Sequence, residues 1–104
     1  MLTRRRDRIL SIIIGEYISK GAPVSSDVVA KKGLGVSPAT IRNEMMELEG
    51  EGYLVQPHTS AGRIPTDKGY RHYIESLMSY ARLSRDEQFL IRHQFHQVEK
   101  AVDE

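Results

Sequence analysis

Two short helical segments separated by a glycine turn place the tightest limit on how this chain folds. The first segment begins at Ser25 or Ser26 and the second at Ser37, because a serine oxygen can accept a hydrogen bond from a free N–H of a first helical turn. Pro38 then occupies the first helical position, which proline favours. Between the segments, the glycines of residues 33–35 (GLG) predict a tight turn.

Three further elements surround this pair. A longer helix precedes it, from Thr3, which can cap it, to about Lys20, where Gly21 ends it. Two extended runs follow it, residues 53–57 (YLVQP) and 62–65 (GRIP), on either side of the polar tip HTSA. Thr66 caps a fourth helix. This order predicts a mainly α fold with a small β-hairpin wing, which is a winged helix-turn-helix.

A last helix is predicted from the capping box SRDE at residues 84–87. Its apolar side chains recur at helical spacing at Ile91, Phe95, Val98 and Val102. We therefore divide the chain into a winged-helix domain at residues 1–80 and a C-terminal connecting helix at residues 84–104. The apolar stripe favours two alternatives: an association surface, or a helix that folds back on the first helix of its own chain.

Composition narrows the class of protein. With 104 residues the chain is about one domain, and without cysteine it has no disulfide or thiolate metal site. No apolar run approaches a membrane span, and Asp7 and Glu16 interrupt the N-terminal run that mimics a signal peptide. We therefore expect no membrane association and a cytoplasmic location. A net charge of +1 argues against avid, sequence-blind nucleic-acid binding.

The helix from Ser37 is the candidate recognition helix. Ile41, Met45 and Leu48 recur at i, i+4 and i+7 and are expected to face the core. The opposite face then carries Ala39, Asn43 and Met46, and it is flanked by Thr40, Arg42 and Glu47. The DNA-competent groups, Ser37 among them, therefore lie in the first two turns. Arginine suits guanine or phosphate, asparagine suits adenine, and the hydroxyls suit phosphate or bases. Four glutamates follow toward the far end of the helix, which we expect to tilt out of the groove. There the glutamates would offset non-specific attraction to DNA.

The hairpin tip and its flanks supply further candidates. His58 and Ser60 lie at the polar tip, and Arg63 precedes a rigid Ile-Pro segment that would hold a guanidinium near a duplex. Lys68 belongs to the same basic set. A single basic face formed by Arg4, Arg42, Arg63 and Lys68 would favour DNA binding. Dispersal of these four residues would favour the alternative function, a protein-interaction winged helix that does not read DNA.

Catalysis and metal binding are not predicted. No Ser-His-Asp pattern and no phosphate-binding glycine loop occurs, so we expect neither an enzyme nor a bound cofactor. His93, His96 and Glu99 share one helical face, but no further ligand is fixed by the sequence. We therefore assign no metal site and no catalytic residue.

The sequence also resembles the N-terminal domain of the HrcA family of bacterial heat-shock repressors. The resemblance spans residues 2–80 and is carried by three stretches, LTRRRDRIL, SPATIRNEM and LEGEGYLVQPHTSAGRIPTDKGYRHYI. It places Ser37, Thr40, Ile41, Arg42, Asn43 and Glu44 on the recognition helix, and His58, Ser60, Gly62 and Arg63 on the wing.

The resemblance implies a transcriptional repressor of heat-shock (chaperone) genes. Such a protein binds double-stranded DNA as a dimer, at an inverted-repeat operator of the CIRCE type, and has the GroE chaperonin as a partner. One departure concerns Ser25, Ser26 and Asp27, which stand where the family usually has a Gly-Ser-basic run, so a phosphate contact at position 27 is not expected. Residues 84–104 resemble only the first connecting helix that precedes the family's regulatory and dimerisation region.

Overall fold

The computed structural model describes residues 2–58, 61–80 and 92–99. Their elements, in chain order, are α1 (Arg4–Lys20), α2 (Ser26–Ala30), α3 (Pro38–Gly50), β1 (Leu54–Val55), β2 (Ile64–Pro65) and α4 (Asp67–Tyr80). Residues 92–99 are also helical. The helical composition and the small antiparallel hairpin confirm the predicted winged-helix fold.

Local hydrogen bonds set the helix ends at the predicted residues. The Thr3 hydroxyl accepts the Arg6 N–H at 3.2 Å, and the Ser25 hydroxyl accepts the Val28 N–H at 3.3 Å. Gly21 ends α1 in the left-handed region, with φ of 68°. Glycine adopts this backbone conformation without a steric penalty, whereas a side chain there would be strained.

The hydrophobic core forms where α1 packs against α3 and α4. The predicted inward face of α3 is buried there, with Met45 4% exposed. The fully buried side chains of α1 and α3 are Ile9, Leu10, Ile13, Ile14, Ile41 and Leu48. The same core cluster also includes Val29, Leu54, Tyr70 and Tyr73. Burial raises the pKa of the Tyr70 phenol to about 12, with a smaller contribution from Tyr17, so Tyr70 stays neutral at physiological pH.

The segment at residues 92–99 packs against the body of its own chain. Val98 is fully buried within the core cluster, and the Tyr73 hydroxyl lies 3.3 Å from the Gln94 side-chain oxygen, to which it donates. The hydrogen bond is made to α4, whereas the folded-back alternative placed the helix on α1, and the association surface stays a prediction. Ile91 and Val102 of the predicted apolar stripe lie outside the described residues.

The wing is a short antiparallel hairpin that is extended by one more chain segment. Leu54 pairs with Pro65, and Val55 pairs with Ile64. Next to β2, Arg63 and Val24 exchange both of their backbone hydrogen bonds at 2.9 Å, which adds the segment before α2 to the sheet. The base of the wing is therefore joined to the start of the helix-turn-helix.

An ion-pair cluster joins α1 to the turn after α2. Glu16 binds Lys20 of the same helix at 3.1 Å and Lys32 at 2.5 Å, and only 13% of its side chain is exposed. Hydrogen bonding to Lys32, and then to Lys20, lowers the pKa of the Glu16 carboxyl below its usual value.

Within the described residues, no helix combines the length and the hydropathy needed to cross a bilayer.

The start of α4 packs directly on the chain segment that follows α3. The Thr66 hydroxyl donates to the Gly52 carbonyl and accepts the Gly69 N–H at 3.1 Å. A Cβ at position 69 would overlap the carbonyl oxygen of Tyr53. A glycine is therefore required at this contact for steric reasons, although it lies in the first turn of a helix.

We expect Gly69→Ala to lower the free energy of unfolding by about 1–3 kcal/mol, because the new methyl group overpacks a backbone contact. The matched control is Gly15→Ala in α1, where an added Cβ meets no atom within 4 Å. This control should raise stability by about 0.5–1 kcal/mol through helix propensity. Urea unfolding measures both, and equal stabilities for Gly69→Ala and the unchanged chain would contradict the packing.

Candidate nucleic-acid interface

The first half of α3 presents polar side chains to solvent, as the helical spacing predicts. Ala39, Arg42 and Asn43 are exposed, and Thr40 is partly exposed. The opposite face is buried in the core. Met46 continues the outer face toward the second half of the helix with 58% of its surface exposed. Groups able to meet base edges thus lie together along one side of the helix N-terminal half.

The N-terminus of α3 is held by its own side chains. The Ser37 hydroxyl accepts the Thr40 N–H at 3.1 Å and lies 3.0 Å from the Thr40 hydroxyl. Pro38 fills the first helical position, where no N–H partner is needed. The exposed end of the helix therefore keeps a fixed geometry and the partial positive charge of a helix N-terminus, which attracts phosphate.

The second half of α3 and its C-cap residue carry four glutamates, and Arg6 of α1 lies beside three of them. Its guanidinium lies 3.3 Å from Glu44, 3.5 Å from Glu51 and 4.0 Å from Glu47. Glu44 is the most enclosed of the three, with 15% of its side chain exposed. The three carboxylates follow i, i+3 and i+7 spacing, which identifies a common face in the sequence, but their partner could not be identified from that spacing.

The fourth glutamate pairs with the wing. Arg63 Nε donates to the Glu49 carboxylate at 2.8 Å, and its Nη1 donates to the carbonyls of Ala61 at 2.8 Å and Gly62 at 3.3 Å. Only 16% of the Arg63 side chain is exposed. The predicted wing cation is therefore present at the base of the wing, and it is bonded to α3 and to its own loop.

Lys68 also binds the chain itself. Its ammonium group donates to the Glu51 carbonyl at 2.7 Å and lies 4.5 Å from the centre of the Tyr53 ring. A cation at this position satisfies a carbonyl at the C-terminal end of α3 and complements the negative end of the helix dipole. The residue remains exposed to solvent.

Of the four basic residues whose arrangement separates DNA binding from the protein-interaction alternative, the structure brings two together, so the four do not form a single basic face. Arg42 and Arg63 line one cleft of about 290 Å³, between α3, the start of α2 and the wing loop. Asp27 lines the same cleft and adds an acidic group to it. Lys68 lies at the far end of α3, whereas Arg4 is exposed on α1.

The wing tip is described in part. His58 is exposed at the end of the first wing segment. Ser60, the other predicted tip residue, lies outside the described residues, as does Thr59.

In the parts of the chain that the structure describes, no three His, Asp or Glu side chains come close enough to hold a metal ion.

Together these features define a winged helix-turn-helix domain with an accessible third helix. Comparisons with known proteins agree. The chain is 53% identical over its full length to the heat-inducible transcription repressor HrcA of Dehalococcoides mccartyi, and 51% identical over 99% of its length to that of Chloroflexus aggregans. It spans about 30% and 28% of those two proteins. No family model matches the chain.

The chain therefore corresponds to the N-terminal region of the HrcA repressors, which confirms the predicted resemblance. A solved structure described only as a hypothetical protein superposes with a TM-score of 0.77 and 47% identity, over 81% of this chain and 26% of the other. The similar proteins of known name are transcription repressors and not enzymes.

The Ser37 cap leads to a direct test of how α3 is held. Ser37→Ala removes the acceptor for the Thr40 N–H and should lower the free energy of unfolding by about 1 kcal/mol. Ser19→Ala, at an exposed position near the end of α1, serves as the control and should change stability by less than about 0.5 kcal/mol. Urea unfolding compares them, and equal effects of the two substitutions would show that the cap does not hold α3.

Proposed function

We propose that the chain is the DNA-binding part of a bacterial, heat-inducible transcription repressor that acts in the cytoplasm on chaperone genes. Its target is double-stranded DNA carrying an inverted repeat of the CIRCE type. One observation carries the proposal: α3 exposes uncharged and basic groups in its first half, while its acidic second half is paired with Arg6 and Arg63. The full-length match to named repressors supports it.

In this proposal α3 enters the major groove by its N-terminal half. Asn43 forms a bidentate pair with adenine, and Arg42 binds guanine or a phosphate at the edge of the cleft. Ser37 and Thr40 lie at the helix N-terminus, where backbone dipoles favour phosphate. Ala39 is small enough to let the helix approach closely and to meet a thymine methyl group.

The wing supplies affinity rather than sequence choice. His58, and Ser60 as a tip residue predicted from the sequence, contact the flanking backbone of the DNA, where contacts position a protein without reading bases. Arg63 and Lys68 contribute to affinity for every duplex. A phosphate contact at position 27 does not form, because Asp27 places a carboxylate beside Arg42 and Arg63.

We propose two further partners by similarity to the longer relatives. An inverted repeat presents the same half-site twice, so a two-fold symmetric dimer matches it. We propose that the dimer forms through the region that follows residues 84–104 in the longer relatives, since this chain spans about 30% of their length. The GroE chaperonin is the proposed protein partner of the full-length repressor.

Asn43 and Arg63 should separate specificity from affinity. Asn43→Ala removes a base contact. It should reduce the difference in binding free energy between the operator and the scrambled duplex by about 1–3 kcal/mol. Arg63→Ala should weaken binding to both duplexes equally and leave the difference in binding free energy unchanged. Fluorescence anisotropy titrations of each variant on both duplexes, across a salt series, measure the difference.

The unchanged chain is the reference for these titrations. It should bind the inverted-repeat duplex more tightly than the scrambled one, and both affinities should fall as salt rises. If Arg63→Ala erased discrimination while Asn43→Ala kept it, the wing would read the sequence and the proposed docking of α3 would be wrong.

A further inference from the structure

Arg63 joins three separate parts of the domain. Its backbone N–H and C=O both pair with Val24, ahead of α2, at 2.9 Å. Its guanidinium reaches Glu49 near the end of α3 at 2.8 Å. Ile64, the next residue, begins β2. This single position therefore connects the wing to both helices of the helix-turn-helix.

The chain packs closely around this junction. A Cβ on Gly62 would come within 2.9 Å of Pro23 and 3.0 Å of Val24, so only glycine permits the wing loop to lie this close to the segment before α2. The Arg63 Nη1 bonds to the carbonyls of Ala61 and Gly62 fix the loop on its other side. The position of the wing is thus set by the residues that precede β2.

We infer that Arg63 and Glu49 are positioning residues, which hold the wing at a fixed angle to α3 so that both elements reach one duplex together. The inference rests on the proposed DNA-binding function and deepens it. It assigns the contribution of Arg63 to DNA affinity to its ion pair with Glu49. It also gives Glu49 a role in DNA binding, although its carboxylate would repel a phosphate.

Two properties of the pair carry this inference. The Arg63 side chain is 16% exposed, and its Nε and Nη1 donors already have protein acceptors. A charge-assisted bond of 2.8 Å in a half-enclosed site is also stronger than a solvent-exposed pair, because water screens it less. Holding two recognition elements in place before binding lowers the ordering cost of the complex.

Glu49 provides the sharpest test, because the two possible roles of Arg63 predict opposite signs. If Arg63 acts through Glu49, Glu49→Ala should weaken operator binding by about tenfold, in the range of couplings within one ion-pair network. If Arg63 instead binds phosphate directly, Glu49→Ala removes a repelling charge and leaves binding equal or stronger.

The experiment is a double-mutant cycle on DNA affinity with Glu49→Ala, Arg63→Ala and the double variant. The probe is a duplex carrying a CIRCE-type inverted repeat, and a scrambled duplex is titrated in parallel. Positioning predicts that the double variant binds no more weakly than Arg63→Ala alone, because either single change already breaks the pair. Glu75→Ala, at an exposed site on α4, removes one negative charge elsewhere and should leave affinity unchanged or slightly raised.

All titrations are run at a temperature at which urea unfolding shows every variant to be folded. A purely stabilising pair would change the unfolding midpoint and leave the affinity of the folded chain unaltered, which would overturn the inference. If Glu49→Ala does not fold, Glu49→Gln gives the same comparison with nearly unchanged side-chain volume. If the unchanged chain does not distinguish operator from scrambled DNA, the proposed function is rejected. If Glu49→Ala binds the operator with full affinity and still distinguishes it from scrambled DNA, only the positioning role is rejected.

Discussion

The ion pairs along the acidic half of α3 are the interaction on which the rest of the surface depends. In the proposed complex with DNA, four unpaired glutamates on α3 and at its C-cap would repel the phosphates of the duplex. Arg6 holds Glu44, Glu47 and Glu51 from α1, and Arg63 holds Glu49 from the wing. The same charges thereby fasten the helix to two other elements.

This arrangement gives the two halves of α3 different tasks. The second half fixes the helix through its salt bridges and through Lys68 at its last carbonyls, while the buried face packs on α1. The first half carries Arg42 and Asn43 on a helix whose start is set by Ser37. A rigid support behind an exposed reading face is what specific recognition needs, since loosely held side chains lose affinity when they are ordered.

Much of the fold could be predicted from local signals. Caps at Thr3 and Ser37, the stop at Gly21 and the inward spacing of Ile41, Met45 and Leu48 act over a few residues, so the sequence alone indicates them. The partners of the glutamates could not be predicted in this way, because Arg6 and Glu44 are 38 residues apart and meet only after α1 packs on α3. For the same reason the sequence indicated Arg63 as a wing cation but did not indicate its bond to Glu49.

The central claim is that only the N-terminal half of α3 meets DNA, because the acidic half is bound within the chain. The most direct measurement is an NMR titration of the isotope-labelled chain with an inverted-repeat duplex, read at each backbone amide. We expect the largest shift changes at residues 39–43 and near His58, with small changes at Glu47, Glu49 and Glu51. Largest changes at those three glutamates, with residues 39–43 unaffected, would contradict it.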